Sequence, residues 1–562
     1  MKKFGIFLAY PPTTELRGEG LGRHLAYLLK GAARRDGARF VVACPSWTVE
    51  SLRKLCEAEH VPPESFELLA VPNLPISLRL HALSKSVLTF IAAKRARARR
   101  RRRWRVMESL RTPFERFLVS TRSLLAFAAI VLLAIPLIVV GAVAWTVVKA
   151  ARAIARRSLG RMSGMSRFEA FDRMMRVVSS IREPGTHPMG RALYRTLETA
   201  EADLLLARIH GRDDIAAWYC PTAFWPQFNA IERPRLVCVP DVVLSRLPVS
   251  FALTTGRLGA EVFARMKKTI EGAPHLVTYS DDVKWVTLVR DFGCEPERVH
   301  VIRHGNNDLG PYIRLTGTPD DEAATRDFCR TLLANALARS TQPAYIQHFA
   351  NREFRFIFCP NQVRPNKNIV TLLLAYEHLL RERGLPHKLV MTGDAEALEQ
   401  ARGLIAERRL ANDVLCLRGL SVQQLAACYA LSDVAVNPSL FEGGCPFTLS
   451  EALSVGTPTV LARIAVTEEV IHDPVLRASM LFDPYDWVDM ADRVEWAIAN
   501  REELLGLQRE RCADVLARSW SDVADDYLAL LDAISNGAAP ERGSERPQAL
   551  ATEEQPVEVT AS

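Results

Sequence analysis

Two glutamates and three glycines lie in one short segment, residues 438–459, which reads PSLFEGGCPFTLSEALSVGTPT. Glu442, Gly443 and Gly444 follow a strand-like run, and a helical pattern containing Glu451 comes next. Glycines let a phosphate group approach the backbone closely, and the N–H groups at a helix start bind anions. Carboxylates accept hydrogen bonds from sugar hydroxyls. The segment therefore predicts a site for a ligand that carries both phosphate and hydroxyl groups.

The helix in this segment has clear boundaries in the sequence. Pro446 stands where the helix would begin, Gly456 lies just past its end, and Pro458 follows. Proline in the first turn and glycine after the last turn are typical of a short helix. The pattern predicts that the helix dipole and the glycine loop face the same ligand.

The segment is similar to the glutamate-pair signature of the family-4, or group 1, retaining glycosyltransferases, which have the two-domain GT-B fold. The resemblance implies that Glu442 lies by the donor sugar and that Glu451 holds the ribose of the nucleotide. The two glutamates are one residue further apart here than is usual in the family. LVMTGD at 389–394 also matches the family in order and spacing, and VHVIRHGNN at 299–307 resembles the usual end of the first domain.

A second resemblance lies upstream, at residues 359–368, which read CPNQVRPNKN. It implies that Lys367 faces the donor diphosphate. Asn361 and Gln362 stand where the family usually has an arginine, and Arg364 is the candidate substitute. Cations beside a diphosphate offset the charge that builds on a leaving group.

Two candidate residues in the N-terminal half have two open interpretations each. Gly20 belongs to a glycine loop after the first strand. The resemblance places this loop under the donor phosphate, whereas the plain alternative is an ordinary strand–helix turn. Asp241 follows VCVP, where the family often has a histidine–aspartate pair. It either orients the acceptor hydroxyl as a catalytic group or caps the next turn.

The elements that must position these residues are buried strands separated by helical patterns. They indicate an α/β fold of the GT-B type, with two Rossmann-like domains facing across a cleft and a helical, hydrophobic insertion. The strand-like runs are FGIFLAY, ARFVVACPSW, DIAAWYCPTAFW, PRLVCVPDVV, HLVTYS and RVHVIRHG in the first half, and FRFIFCP, HKLVMTGD, DVLCLRG, VAVNPS and TPTVLA in the second.

The chain of 562 residues is too long for one ordinary core. We expect an acceptor-side domain at 1–310, with an insertion at about 75–200, and a helical bridge at 311–353. A donor-binding domain follows at 354–534. The tail at 535–562 lacks aromatic and periodic apolar residues, which predicts disorder.

The insertion contains features typical of membrane association. Residues 94–105 read KRARARRRRRWR, and residues 123–148 contain no charged residue. A run of this length can cross a bilayer, but a single crossing would separate two parts of one sheet. We therefore expect a monotopic or re-entrant anchor on the cytoplasmic face of the inner membrane, with anionic lipids as partners. Nucleic-acid binding is the disfavoured alternative for the basic run.

The 11 cysteines form no C-x-x-C pair, so no zinc site or disulfide framework is expected, and they fit a reducing compartment. The resemblance implies transfer of a hexose, mannose among the candidates, from a nucleotide sugar with retention and without a metal or other cofactor. The expected acceptor is a saccharide or lipid-linked acceptor at the membrane. A glycosyltransferase-like scaffold without activity is the alternative, and a sugar-nucleotide epimerase is a weaker one.

Overall fold

The computed structural model describes residues 2–12, 14–16, 20–33, 37–75, 188–338 and 354–537. The described residues before 72 and after 201 form one compact unit, which contains two parallel β-sheets. The basic run at 94–105, the uncharged run at 123–148 and the tail beyond 537 lie outside the described residues. Within the described part of the chain, no helix is long and apolar enough to span a membrane.

The N-terminal sheet has seven parallel strands in the order β3-β2-β1-β4-β5-β6-β7. Its strands are β1 Lys2–Phe7, β2 Ala38–Cys44, β3 Phe66–Ala70, β4 Ile215–Cys220, β5 Arg235–Cys238, β6 His275–Thr278 and β7 Val299–Val301. Apolar strands buried on both faces are expected in a parallel sheet covered by helices.

The C-terminal sheet has six parallel strands in the order β10-β9-β8-β11-β12-β13. Its strands are β8 Arg355–Cys359, β9 His387–Met391, β10 Val414–Cys416, β11 Val434–Asn437, β12 Thr459–Ala462 and β13 Leu481–Phe482. Separate apolar clusters cover its two faces. In both sheets the chain adds two strands on one side of the first strand and then crosses to its other side, as in Rossmann-like sheets, and this confirms the predicted pair of α/β domains.

The helices lie between these strands. They are α1 Gly20–Ala32, α2 Thr48–Ala58, α3 Pro188–His210, α4 Val243–Arg246, α5 Pro248–Thr255, α6 Arg257–Gly272, α7 Asp321–Leu337, α8 Ile369–Arg381, α9 Glu399–Glu407, α10 Val422–Leu431, α11 Phe447–Ser454, α12 Ala465–Glu468, α13 Pro474–Met480, α14 Trp487–Ala499, α15 Arg501–Arg511, α16 Ala513–Ala517 and α17 Trp520–Ser535. A π-helix spans Val283–Asp291, and 3₁₀ turns span Pro63–Ser65, Pro226–Ala230, Pro296–Arg298, Gly310–Tyr312, Pro365–Lys367 and Ala395–Ala397.

The centre of the N-terminal sheet depends on a glycine. Gly5 on β1 lies beside Trp218 on β4, whose indole is fully buried. A Cβ atom at Gly5 would overlap the indole ring. The glycine therefore makes room for a large apolar side chain at the point where the strand order reverses.

The last helix, α17, packs in the N-terminal domain although the boundary drawn from the sequence placed it in the C-terminal domain. Val523, Tyr527 and Leu531 on α17 belong to the N-terminal core. A Cβ atom at Gly31 on α1 would lie 2.5 Å from the Trp520 carbonyl oxygen, so the two helices are in close contact. Helix α17 therefore belongs with the N-terminal domain and not with the predicted domain at 354–534, because its apolar face packs in the N-terminal core.

Helix α7 lies within the predicted bridge at 311–353. Cys329, Leu333 and Leu337 on α7 pack in the cluster that covers one face of the C-terminal sheet. The helix therefore adds to the C-terminal core. Residues 339–353 lie outside the described residues.

Candidate active site

Lys367 and Glu442 come together at the switch point of the C-terminal sheet. Lys367 ends the 3₁₀ turn after β8, Glu442 lies in the loop after β11, and these two strands are neighbours. The lysine ammonium group forms an ion pair with the Glu442 carboxylate, and each side chain is more than four-fifths buried. Ligands of doubly wound sheets bind where the strand order reverses, at the carboxyl ends of the strands.

Asn366 ties the two loops to each other. Its backbone carbonyl accepts a hydrogen bond from the Leu440 N–H at 2.8 Å, and its side-chain amide donates to the Phe441 carbonyl at 3.2 Å. Asn366 itself is buried. The ion pair of Lys367 and Glu442 is therefore held on a fixed backbone.

Asp241 approaches this pair from the N-terminal domain, in the segment that follows β5. The pKa of its carboxyl is raised to about 6, first by burial and then by the negative charge of Glu442. The positive charges of Lys367 and of the exposed Arg364 act in the opposite direction. Four of the residues predicted from the sequence thus share one electrostatic environment between the domains.

Gly443 and Gly444 bring the C-terminal loop against the N-terminal domain. A Cβ atom at Gly443 would overlap the Pro240 carbonyl oxygen, and one at Gly444 would lie 3.0 Å from Cβ of Tyr279. The Gly443 carbonyl accepts a hydrogen bond from the Ser280 hydroxyl at 2.9 Å. The sequence predicted that these glycines allow a diphosphate to approach the backbone. In the structure they allow the N-terminal domain to approach, because a side chain at either position would collide with it.

Glu451 lies within α11 and is only 5% exposed. Its carboxylate accepts hydrogen bonds from the Tyr429 hydroxyl at 3.0 Å and from the Asn307 amide at 2.9 Å. Arg23 on α1 reaches the same carboxylate at 3.5 Å. A ribose hydroxyl at this carboxylate would therefore compete with the arginine, which makes the longest of the three contacts.

Gly20, the predicted glycine of the N-terminal loop, is the first residue of α1 and is exposed. No atom lies within 4 Å of the position that a Cβ would occupy there. At Gly22, two residues further along α1, a Cβ atom would overlap the Leu16 carbonyl oxygen. The backbone turn therefore requires Gly22, and the role of Gly20 toward a phosphate stays a prediction because residues 17–19 lie outside the described residues.

The helix boundaries predicted for this segment are confirmed. Helix α11 begins directly after Pro446 and ends at Ser454, and Gly456 follows with a φ of +81°. Such a positive φ favours glycine.

Sequence analysis missed Glu469, which joins the domains beside the site. Its carboxylate accepts hydrogen bonds from the backbone N–H of Asp281 at 3.0 Å and of Asp282 at 3.4 Å. It also pairs with Arg303 at 3.0 Å, and Arg303 contacts the Asp281 carboxylate at 3.2 Å. The sequence shows a glutamate shortly after β12, but it does not indicate which backbone N–H groups this carboxylate accepts hydrogen bonds from.

A cavity of about 290 Å³ opens next to Glu469, between the segments that connect the domains. The residues that line it include Tyr279, His304, Cys445, His472 and Arg518. Burial lowers the pKa of His304, whose ring stacks on Phe447 with centroids 4.3 Å apart. In the described part of the chain, no group of three or more His, Cys, Asp or Glu side chains is arranged to hold a metal ion.

Comparison with known proteins finds similarity mainly in the C-terminal domain. Residues 344–513 match the family model described as glycosyl transferases group 1, which confirms the resemblance seen in the sequence. The chain is 33% identical over 181 residues to the MMP alpha-(1->4)-mannosyltransferase of Mycolicibacterium hassiacum, which is 31% of this chain and 42% of that protein. It is also 23% identical over 173 residues to the lipopolysaccharide 1,2-N-acetylglucosaminetransferase of Salmonella typhimurium. That match covers 30% of this chain and 45% of that protein.

The chain thus spans about half the length of the curated relatives that it matches. Among solved structures, the N-terminal domain of trehalose-6-phosphate phosphatase from Candida albicans has a TM-score of 0.52 at 11% identity. The match covers 95% of this chain and 97% of that one. At this identity the likeness shows the fold alone, and with the two sheets it agrees with the expected GT-B-type architecture.

Proposed function

We propose, from the group 1 match over residues 344–513, that this chain is a glycosyltransferase that moves a hexose from a nucleoside-diphosphate sugar to an acceptor hydroxyl. The observation that carries the proposal is the meeting of Lys367, Glu442 and Asp241 between the two domains. The cation suits a departing diphosphate, and the two carboxylates suit sugar hydroxyls.

In the proposed reaction the C-terminal domain binds the donor, with Lys367 and Arg364 facing the diphosphate. The bond between the anomeric carbon and the phosphate oxygen breaks, and a bond to the acceptor oxygen forms on the same face. The acceptor proton passes to the departing phosphate, so the products are the glycoside and the nucleoside diphosphate. The protein contributes positioning and charge, which suffices without a metal in this scheme.

The ion pair of Lys367 with Glu442 neutralises the charge of the site before the donor binds. The ammonium group is neutralised by the glutamate, so no buried cation stands alone. When the diphosphate binds, the lysine gains a second anionic partner, and Glu442 becomes available to a donor hydroxyl. Glu442 therefore acts at the reacting sugar, and Asp241 acts at the acceptor side.

The acceptor is proposed to be a saccharide or a lipid-linked acceptor at the cytoplasmic face of the membrane. The support is the sequence of the insertion, with its basic run at 94–105 and its uncharged run at 123–148. Mannose heads the candidate sugars, because a relative at 33% identity is named a mannosyltransferase.

Donor binding is the first test, measured as a thermal shift of the full-length protein with uridine, guanosine and adenosine diphosphate sugars. A donor at a hundredfold excess over its Kd should stabilise the wild type by about 2.7 kcal/mol. Lys367→Ala and Glu451→Gln should lose most of this stabilisation. Lys388→Ala is the matched control, because Lys388 pairs with Asp413 away from the proposed site.

One nucleotide that stabilises the wild type and the control, but neither site variant, supports the proposal and identifies the base. If no donor stabilises the wild type at millimolar concentration, the transferase proposal fails and the inactive scaffold replaces it. Retention is tested separately, by the anomeric configuration of the product.

A further inference from the structure

Helix α5, Pro248–Thr255, is an uncharged helix that the described residues leave uncovered. Its sequence is PVSFALTT, and none of its residues is buried. Helix α10 is also uncharged, yet it buries residues such as Ala426, Cys428 and Tyr429 in the C-terminal core. An apolar helix normally buries its apolar side, whereas α5 contacts α4 and α6 without burying any of its own residues within the described part of the chain.

Three large apolar side chains of this region are exposed to solvent. Val249 is 70% exposed and Leu253 is 76% exposed, and their spacing of one helical turn places them on the same side of α5. Leu258, at the start of α6, is 52% exposed and follows the turn at Gly256. We call Val249, Leu253 and Leu258 the α5 surface.

The charges around the α5 surface favour an anionic partner. Helices α4, α5 and α6 contain five basic and two acidic residues, and Lys267 pairs with Glu271 at 3.7 Å. Arg265, Lys267 and Lys268 on α6 are exposed. Apolar side chains beside basic ones are the composition of a surface that binds an anionic bilayer interface.

The position of the α5 surface connects it to the candidate site. Helix α4 joins Asp241 to α5, and its Arg246 pairs with Asp282 at 3.1 Å. The Arg246 guanidinium also stacks on the ring of Phe441 at 5.2 Å from the centroid. Phe441 directly precedes Glu442, so α5 begins next to the mouth of the cleft.

The same edge of the sheet carries the exit to the insertion. Parallel strands all end at one edge, so the end of β3, before residues 76–187, and the end of β5, before α5, lie on the same side.

We infer that the α5 surface docks on an anionic lipid bilayer, as a membrane contact separate from the basic and uncharged runs of the insertion. Docking there turns the mouth of the cleft, with Asp241, toward the bilayer, where a lipid-linked acceptor is held. The purpose of the docking rests on the proposed function, whereas the docking itself does not.

The test uses the full-length protein with an environment-sensitive fluorophore on Leu258→Cys, and the labelled wild type supplies the background from the half-buried Cys445. Vesicles of phosphatidylcholine with phosphatidylglycerol should shift the emission to the blue, and brominated lipids should quench it. Vesicles of phosphatidylcholine alone should give a weaker response. A label on Val475→Cys, an exposed valine of the C-terminal domain, should not respond.

The double variant Val249→Ser/Leu253→Ser removes the apolar surface without touching a buried residue. It should raise the lipid concentration for half-maximal response of the Leu258→Cys label by about tenfold or more, because two large apolar side chains no longer enter the interface. Val475→Ser in the same labelled background is the matched control and should leave that concentration unchanged.

Two results would overturn the inference. One is a label at position 258 that stays in water while the protein sediments with anionic vesicles. The other is a label that is shielded before any vesicle is added, which would assign the α5 surface to another part of this chain. Neither result depends on donor binding, so a failure here is distinct from a failure of the proposed transfer.

Discussion

Asp241 lies where the two domains meet, beside Glu442 and Lys367 of the C-terminal domain. Its carboxyl is buried near Glu442, and these two causes raise its pKa from 3.8 to about 6. The protonated form is therefore favoured in the closed structure, and the folded chain holds this proton more tightly than the unfolded chain does. The corresponding stability is complete below the ordinary value of 3.8 and is lost as the pH rises through about 6.

The substitution Asp241→Asn should remove this dependence. The free energy of unfolding of the wild type, taken relative to the variant, should fall by up to about 3 kcal/mol between pH 4 and pH 7.5. Urea unfolding of both proteins at several pH values measures the difference. Asp213→Asn, at an 88% exposed aspartate, is the control. A pH-independent difference between wild type and Asp241→Asn would contradict the assignment.

At the scale of elements, the loop between β11 and α11 does two jobs. It carries Glu442 toward the site, and its glycines lie against Pro240 and Tyr279 of the other domain. The loop is thus shaped by contact between the domains as much as by any ligand.

The substitution Gly443→Ala should disrupt that contact, because the added methyl group would overlap the Pro240 carbonyl oxygen. We expect a loss of about 1–3 kcal/mol in the free energy of unfolding, as for overpacking in general. Thermal and urea unfolding measure it. Gly506→Ala on α15 is the matched control, because nothing lies within 4 Å of its Cβ position, and it should be neutral or up to about 1 kcal/mol stabilising. Equal effects of the two substitutions would show that the loop can move away without cost.

The sequence predicted most elements because buried parallel strands read as continuous apolar runs between turn residues. Helix α11 was predicted with its ends because proline and glycine mark them. The short strand Leu481–Phe482 was missed, since two residues carry no periodicity. Helix α17 was assigned to the other domain, since amphipathicity reports that a face is buried and not which core buries it.

The candidate site was predictable only in part, for a related reason. Loops after neighbouring strands must meet, so Lys367 and Glu442 could be placed together once the sheet was predicted. The partners of Glu451 could not be predicted, because Arg23 and Asn307 reach it from distant parts of the chain. The clamp at Glu469 was missed because its partners are backbone N–H groups, which every residue has.

For the whole molecule, Glu469 is the clearest single link between the domains. It caps the backbone N–H groups of Asp281 and Asp282 and pairs with Arg303. Removing a charged acceptor from partly buried donors costs about 1–3 kcal/mol per group left unpaired. Loss of this side chain should therefore weaken the contact between the domains.

Glu469→Ala should shift the molecule toward a more open arrangement. Small-angle scattering of the unliganded full-length protein should show a larger radius of gyration than the wild type. Glu468→Ala is the matched control, because this neighbour is 39% exposed and contacts Arg463 at 3.8 Å within the same domain. An unchanged radius for Glu469→Ala would mean that the glycine contacts suffice to hold the domains together.

Because α17 packs in the N-terminal domain, that domain cannot complete its core until α17 has been synthesised. The first strand of the N-terminal sheet is synthesised long before α17, the helix that covers α1 and β4. At roughly 5–20 residues per second, translation leaves that core unfinished for about half a minute to two minutes. The C-terminal sheet has its strands complete at Phe482, and the helices α14 and α15 that pack in its core end at Arg511, so this core is fully synthesised before α17. The nascent N-terminal sheet would meanwhile expose apolar surface, and it is the part of the chain that would need a chaperone during synthesis.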